Sequence, residues 1–244
     1  MKKLLVLFIV ATGLSINAQE SVFLKLNYKK GDTFLVQQDV SQNMGAQGGL
    51  DMKMKMEMTV TKREKDTFHI KSKIKHIDMN MLQGGQVMSY DSSIKEEDLD
   101  PVGKMVKQQF DPMLSAAIFS KVTPNGEVIS TKVEPLTPAL EQFTKQNKGV
   151  NYPKDKVSVG STWSDEVNEQ GMSLKTIYTV AKIENGKVYI DVSGNVSGVD
   201  KGSINGNLII DTKSGVQDSS NMTISMSSNG MDIEIKTKSK MTKI

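Results

Sequence analysis

The residues best placed to do chemistry in this chain are methionines that recur at every second position in one stretch. The 244 residues include 16 methionines and no cysteine. Between Leu50 and Val60 the methionines stand at four alternating positions: Met52, Met54, Met56 and Met58. A period of two places such side chains on one face of a β-strand, about 7 Å apart. Long thioether side chains at that spacing can converge on one ligand, one metal ion or one packed core.

Each of these possibilities is a separate interpretation of the methionine face. Core packing is the first, because Phe68, Ile70 and Ile74 continue the same face further along the chain. An adaptable apolar cavity for a lipid-like ligand is the second, since flexible methionine surfaces tolerate varied shapes. Copper(I) binding is the third, since thioethers are soft ligands. Because an apolar hairpin face already explains the spacing, we predict no metal site and no cofactor.

The side chains available for acid–base or nucleophilic catalysis lack a recognisable arrangement. Only His69 and His76 titrate near neutral pH, and neither has a partner at a diagnostic spacing. Asp91-Ser92-Ser93 and Asp218-Ser219-Ser220 are typical of turns at strand ends. No nucleophile elbow, phosphate-binding loop, zinc-protease motif or calcium loop occurs in the sequence. The sequence therefore predicts no catalytic residues and a protein that is not an enzyme.

The methionine face belongs to a long hairpin. Its apolar alternation runs to Val60, and a polar break from Lys62 to Asp66 separates the two strands. The apolar parity then changes between Ile74 and Ile77. A β-bulge near Lys75–His76 explains this change, because one extra residue moves all following side chains to the other face.

The rest of the chain is predominantly strand. Val22 to Leu26 and Phe34 to Val40 alternate, and turns separate further alternating runs up to the C-terminus. Asp100-Pro101 begins a helix that Asp111-Pro112 ends, and a second helix is predicted between Thr137 and Gly149. Short connections imply antiparallel pairing, and a sheet of about ten strands must curl, split or close. We therefore predict a mainly β fold, a large curved antiparallel sheet or incomplete β-barrel with two short helices.

The N-terminus has the pattern of a secretory signal. Lys2 and Lys3 precede an apolar core from Leu4 to Leu14, and Ile16-Asn17-Ala18 fits a cleavage site. This core is shorter than the ~20 apolar residues that a spanning helix needs. A lipid-modified cysteine is excluded, because the chain has no cysteine. We predict a signal peptide at 1–18, no integral membrane segment after cleavage, and a periplasmic or secreted protein.

The segment 19–244 is predicted to form a single β-rich domain. Gly160-Ser161-Thr162-Trp163 has the pattern of Gly31-Asp32-Thr33-Phe34, a glycine turn that leads into threonine and an aromatic residue. Such matches indicate two weakly similar halves, although chance similarity between strand–turn–strand units explains them equally well. The halves would be 19–133 and 150–244, joined by a helical segment.

Four turn and strand-start motifs follow one another along the chain: Tyr28-Lys29-Lys30-Gly31-Asp32-Thr33, Tyr90-Asp91-Ser92, Thr123-Pro124-Asn125-Gly126-Glu127 and Val159-Gly160-Ser161-Thr162-Trp163. In these motifs the chain resembles a family of exported bacterial proteins of unassigned function. The resemblance implies an envelope location and a β-rich fold, and it supplies no catalytic residues. The general layout is also similar to that of periplasmic lipoprotein carriers with an unclosed β-barrel.

Together these observations predict an exported, non-enzymatic envelope protein that binds an apolar ligand or a partner in a methionine-rich concave face. Two alternatives stay open, a purely structural or interaction protein with a filled core and a copper(I)-handling protein. The partner would be a lipid-like apolar ligand or an envelope protein. Nucleic acid is not expected, because the chain without Lys2 and Lys3 is close to neutral. The predicted ligand-binding residues are Met54, Met56, Met58, Phe68, Ile70 and Ile74.

Overall fold

The structure is a computed structural model that describes residues 20–136, 140, 150–169, 171–228 and 230–244. The predicted signal peptide lies outside the described residues, as does the second predicted helix except for Leu140. The strands are β1 (Thr33–Asn43), β2 (Gly48–Glu64), β3 (Thr67–Gln83), β4 (Gln86–Asp91), β5 (Ala117–Val122), β6 (Val128–Glu134), β7 (Thr162–Glu169), β8 (Met172–Glu184), β9 (Lys187–Gly198), β10 (Lys201–Asp211), β11 (Gln217–Ser228) and β12 (Met231–Lys243). One α-helix is described, α1 (Pro101–Ser115), and short 3-10 turns cover Gly45–Gln47 and Glu96–Asp98.

Within the described residues, the twelve strands form one antiparallel sheet. Their order is β6-β5-β3-β2-β1-β12-β11-β10-β9-β8-β7, and β4 pairs with the C-terminal part of β3. The first and last strands therefore meet in the middle of the sheet, where Phe34 lies opposite Lys243 and Asn43 lies opposite Glu234. Strands β6 and β7 stand at the two ends of this order, and the sheet is not closed between them. A mainly β fold with an unclosed antiparallel sheet is thus confirmed.

The predicted hairpin is formed by β2 and β3, each 17 residues long. Lys55 lies opposite His76, whereas the next residue, Met56, lies opposite Ile74. Lys75 is therefore the extra residue of a β-bulge, and the bulge predicted from the apolar parity is confirmed. A second irregularity follows Val60, where Thr61 is the extra residue. Both bulges keep the apolar side chains of β2 and β3 on the same face.

The prediction of a strand from Val22 to Leu26 is wrong. Val22 makes only an isolated bridge to Val157. The following amides bond to turns instead of to a neighbouring strand: Leu26 N–H donates to Pro124 O at 2.7 Å and Asn27 N–H to Ser214 O at 2.7 Å. The alternating apolar pattern here reflects burial of one side of an extended segment outside the sheet, Val22–Tyr28, which we term the crossing segment: Leu24 is fully buried, whereas Phe23 is 48% exposed.

The helix does begin where it was predicted, but it does not end at Asp111-Pro112. Asp100 caps its N-terminus, since the carboxylate accepts a 2.6 Å hydrogen bond from Gly103 N–H. Pro112 lies in the last turn of α1 and removes one backbone hydrogen bond there, yet the helix continues to Ser115. An ion pair between Lys107 and Asp111, 3.2 Å long, spans the turn before the proline.

Hydrogen bonds at one end of the sheet reveal how strongly it is bent. Pro124 lies in the β5–β6 turn and Ser214 lies in the β10–β11 turn. In a flat sheet these turns would be about 29 Å apart, at ~4.8 Å per strand. Yet they are bridged by the consecutive residues Leu26 and Asn27. The sheet is therefore so strongly curved that the crossing segment alone spans this end. We term it the closed end.

Buried residues on the inner face of the curved sheet form three groups. The first lies beneath α1 and includes Met54, Ile74 and Leu140. The second lies beneath the crossing segment and is built mainly on β8, β9 and β10. The third group joins the other two near the closed end and includes Tyr28 and Phe68. The inner face is therefore filled beneath the helix and the crossing segment.

The two glycine turns noted in the sequence share one hydrogen-bonding pattern. Gly31 N–H donates to Val60 O, and Gly160 N–H donates to Val180 O, both at 2.8 Å. Val60 and Val180 are each followed by a register shift in their hairpins. The local structure is thus repeated, while the division into two halves stays a prediction.

Candidate ligand-binding cavity

A cavity of about 340 Å³ lies on the inner face near the closed end. It is bordered by side chains from both sides of the curved sheet and by the crossing segment. We term it the inner cavity. Its lining residues are Leu26, Tyr28, Val36, Gln38, Met56, Met58, Ile70, Val122, Gly126, Val128, Val150, Tyr152, Gln217, Ser239 and Met241. None of them carries a formal charge at neutral pH.

The apolar wall of the inner cavity is a row across three adjacent strands. Val36 of β1 lies opposite Met56 of β2 and opposite Met241 of β12. All three side chains are half-buried, so they contact one another and still present surface to the cavity. Met58 and Ile70 continue this wall and are more deeply buried, at 8% and 6% exposed. The wall is therefore flexible, because thioethers adapt to different shapes more readily than branched side chains do.

Two tyrosines stand at the closed end. Tyr28 contacts Phe34 and Phe68 with ring centroids 5.4 and 5.3 Å apart. The hydroxyl of Tyr152 donates a 2.9 Å hydrogen bond to Gly215 O. Burial raises the pKa of both tyrosine hydroxyls above its ordinary value, so both stay neutral at any physiological pH. This end of the cavity is aromatic, uncharged and tied together by hydrogen bonds.

A polar row crosses the inner face next to the apolar wall. Gln38 of β1 lies opposite Ser239 of β12, which in turn lies opposite Ser220 of β11. Gln217 Nε2 lies 3.1 Å from each serine hydroxyl, and the two hydroxyl oxygens are 2.9 Å apart. Gln38, Gln217 and Ser239 line the cavity. We term Gln38, Gln217, Ser220 and Ser239 the polar row.

Beyond the polar row, toward the other end of the sheet, which we term the open end, the inner face carries apolar side chains together with Gln42 and Thr237. The side chains here are half-buried, and they include Val40, Met52, Met222, Ile224 and Ile235. A separate groove of about 560 Å³ lies at the open end itself, and charged residues such as Lys201, Asp232 and Glu234 take part in its lining. The open end thus has a charged rim, whereas the lining of the inner cavity carries no charge.

The structure divides the six predicted ligand-binding residues into two groups. Met56, Met58 and Ile70 line the inner cavity. Met54 and Ile74 instead pack beneath α1, at 3% and 2% exposed, and Phe68 packs against Tyr28. The prediction for these last three residues does not match the cavity, because the helix and the crossing segment fill their part of the face.

Sequence reasoning missed five lining residues that lie on or beside the central strands: Val36, Gln38, Gln217, Ser239 and Met241. The alternation in β1 and in the C-terminal tail indicates which side chains share a face. No local pattern, however, indicates that β1 and β12 are neighbours, since nearly the whole chain separates them. The cavity is assembled by that one long-range pairing.

A Ser-His-Asp cluster, which the sequence had not predicted, forms where the end of β4 meets the middle of β3. Ser92 Oγ is 3.1 Å from His76 Nδ1, and Asp91 Oδ1 is 3.8 Å from the same nitrogen. In a catalytic triad the serine and the carboxylate engage different ring nitrogens. Ser92 Oγ also accepts a hydrogen bond from Ile77 N–H at 3.0 Å. This cluster therefore has the geometry of a turn and not of an activated nucleophile.

In the part of the chain that the structure describes, no three residues of the types His, Cys, Asp and Glu lie close enough together to hold a metal ion. The thioethers of Met54 and Met58 are engaged in two different buried groups. Met56, Met58 and Met241 line one cavity, and the absence of a metal site at these thioethers stays a prediction.

Part of the chain matches a known protein family, one without an assigned function. Residues 134–243 match the model of a family of unknown function (DUF6263). The matched segment runs from the end of β6 to the end of β12. No curated protein matches the chain in sequence. No helix among the described residues is long and apolar enough to cross a membrane.

One solved structure, "Lipid-protein interactions in lipovitellin", is similar in fold. The TM-score is 0.57 over 89% of this chain, with 8% sequence identity. The similar region makes up 25% of the lipovitellin chain, so the protein spans about a quarter of its length. At this identity the likeness concerns the fold alone.

Proposed function

We propose that the protein binds an apolar, lipid-like ligand in the inner cavity and has no enzymatic activity. The observation that carries this proposal is an uncharged cavity of about 340 Å³ bordered by the curved sheet and the crossing segment. Small-molecule sites usually measure about 300–1,000 Å³ and are lined mainly by apolar side chains. This cavity is at the small end of that range, so we expect one acyl chain or a ring system of similar size.

The fold likeness supports the same proposal. Lipovitellin, whose structure is similar in fold, is described in terms of lipid–protein interactions. A curved, unclosed sheet can hold apolar ligands because its inner face is shielded from water without being filled by a second sheet. The residues that would make the contacts here are this chain's own, principally Val36, Met56 and Met241.

The proposal also includes where the protein acts and where it meets its ligand. A signal peptide at residues 1–18 would deliver the protein to the periplasm or the exterior, where a carrier or sensor of lipid-like molecules would meet its ligand. A structural protein with a filled core is the competing function, and the packing of Met54, Phe68 and Ile74 favours it for their part of the face. The unfilled cavity beside Met56 favours a ligand-binding protein over a structural protein with a filled core.

The proposal can be tested with the neutral apolar dye N-phenyl-1-naphthylamine, whose fluorescence rises in apolar sites. The purified protein should bind the dye with saturation. The variant Met56→Trp places a larger side chain in the cavity and should weaken binding about tenfold or more. Lys55→Trp is the matched control, because it introduces the same residue one position away on the opposite, exposed face of β2. It should bind the dye as the unaltered protein does.

Because Met56→Trp could disturb the fold, Met241→Phe provides an independent obstruction from β12. Circular dichroism and thermal melting would show that both variants are folded. Equal dye binding by the unaltered protein, Met56→Trp and Met241→Phe would overturn the proposal, as would the absence of saturable binding.

A further inference from the structure

We infer that the ligand carries an uncharged polar group, such as an ester, an amide or a hydroxyl, which the polar row holds at the edge of the inner cavity. This inference rests on the proposed function and specifies the chemical class of its ligand. It excludes ligands whose buried end is a carboxylate or a phosphate. Its basis is the set of hydrogen bonds within the polar row, together with the lack of charged side chains in the cavity lining.

Within the polar row, the hydrogen-bonded group of Gln217, Ser220 and Ser239 has one hydroxyl donor to spare. The two N–H groups of the Gln217 amide point to the hydroxyl oxygens of Ser220 and Ser239, at 3.1 Å each. One serine hydroxyl donates to the other across 2.9 Å. A hydroxyl has one hydrogen to donate, so one of the two serine hydrogens is left over. When Ser220 donates to Ser239, the spare hydrogen is that of Ser239, which lines the cavity.

Gln38 provides the complementary group on the neighbouring strand. It lies opposite Ser239 and also lines the cavity. Its amide offers both donors and an acceptor. A carbonyl oxygen of a ligand could therefore accept hydrogen bonds from Ser239 and Gln38, while a ligand hydroxyl could donate to the Gln38 carbonyl oxygen. Polar groups in an otherwise apolar site fix the orientation of a ligand in this way.

A charged ligand group finds no counter-ion at this position. The cavity lining has no charged side chain. Lys243 is the inner-face residue of β12 that follows Met241, but its ammonium group is paired with Asp32 at 2.5 Å. Burying a carboxylate or phosphate without an opposite charge is strongly unfavourable. The site therefore favours neutral lipids over fatty acid anions.

Three probes of equal chain length test this inference by displacing N-phenyl-1-naphthylamine from the purified protein at pH 8: methyl dodecanoate, the dodecanoate ion and n-dodecane. The ester should displace the dye at concentrations about tenfold or more below those of the ion. Ser239→Ala should weaken ester binding about fivefold, the value of one uncharged hydrogen bond, and should leave dodecane binding unchanged.

Gln38→Met removes the amide at nearly constant size and should likewise reduce the preference for ester over dodecane. Ser219→Ala is the control, since Ser219 is the neighbour of Ser220 and alternates to the outer face of β11. If the dodecanoate ion bound as tightly as the ester, or if Ser239→Ala weakened ester and dodecane equally, the inference would be wrong while the proposed function stood. If none of the probes displaced the dye, the proposed function itself would fail.

Discussion

Met58 and Lys55 show how the same strand presents opposite environments to neighbouring side chains. Met58 is 8% exposed among the buried residues near the closed end, whereas Lys55 is exposed on the outer face. Met58→Asp would bury a carboxylate without a partner, and we expect it to lower the free energy of unfolding by several kcal/mol. Lys55→Asp should change it by about 0.5 kcal/mol or less.

Denaturant unfolding of the two variants measures both values. Equal destabilisation by both substitutions would mean that the register of β2 is wrong. The pairing of Met58 with Ser72 and of Lys55 with His76 would then have to be abandoned as well.

Asp32 links the first turn to the last strand and makes stability depend on acidity. Burial acts to raise the pKa of its carboxyl group, but hydrogen bonds from Lys243 Nζ and Lys29 N–H, with the charges of both lysines, outweigh it and hold the pKa below its ordinary value of 3.8. In acid the unfolded chain therefore binds this proton before the folded protein does. The stabilisation is complete above the ordinary pKa and is lost as the pH falls through the lower, folded value.

We expect Asp32→Asn to remove part of the acid sensitivity in thermal melts recorded below about pH 4. Lys243→Gln should lower stability at neutral pH and reduce the further loss in acid, because the folded-state pKa of Asp32 returns toward its ordinary value when the carboxylate loses its cation. A melting profile of Lys243→Gln identical to that of the unaltered protein across this range would show that the ion pair does not contribute.

At the scale of elements, the closed end depends on Tyr152. Its ring lines the inner cavity, and its hydroxyl donates to Gly215 O in the β10–β11 turn. Tyr152→Phe keeps the ring and removes the hydrogen bond, so we expect a loss of about 1 kcal/mol in the free energy of unfolding, with dye binding retained. Tyr152→Ala should lose considerably more stability, because it also opens a void. Equal effects of the two substitutions would argue against the ring as a packed wall.

The elements also show which features a sequence can specify. The alternation of β2 and the extra residue at Lys75 were predictable, since a period of two and a change in parity are local properties. The prediction for Val22–Leu26 was wrong because an extended segment that buries one side against the sheet shows the same alternation as a strand. The helix end predicted at Asp111-Pro112 was also wrong, because Pro112 removes one backbone hydrogen bond near the end of α1 without ending the helix.

The lining of the inner cavity was predictable only in part, because only local alternation can be read from the sequence. Met56, Met58 and Ile70 belong to the hairpin, and their shared face could be read from the alternation. Met241 and Ser239 reach the cavity through the pairing of β1 with β12, which depends on the whole topology. The sequence also could not indicate which inner-face residues line the cavity and which are covered, because this depends on where α1 and the crossing segment lie.

At the scale of the whole molecule, the sheet functions as a shell whose two halves meet at β1 and β12. The helix fills one part of the inner face, the crossing segment fills another, and the inner cavity lies between them. Ligand binding would therefore stabilise the folded protein as a unit, because the ligand would contact strands from both halves of the sheet at once.

The central claim is that an apolar ligand occupies the inner cavity, and photolabelling tests it most directly. A methyl ester of a fatty acid with a diazirine near the end of its chain would be incubated with the purified protein, irradiated, and located by mass spectrometry of peptides. We predict labels on the inner faces of β1, β2 and β12, at or next to Val36, Met56 and Met241. Labels confined to the outer face around Lys55 or to the exposed side of α1 would contradict the account.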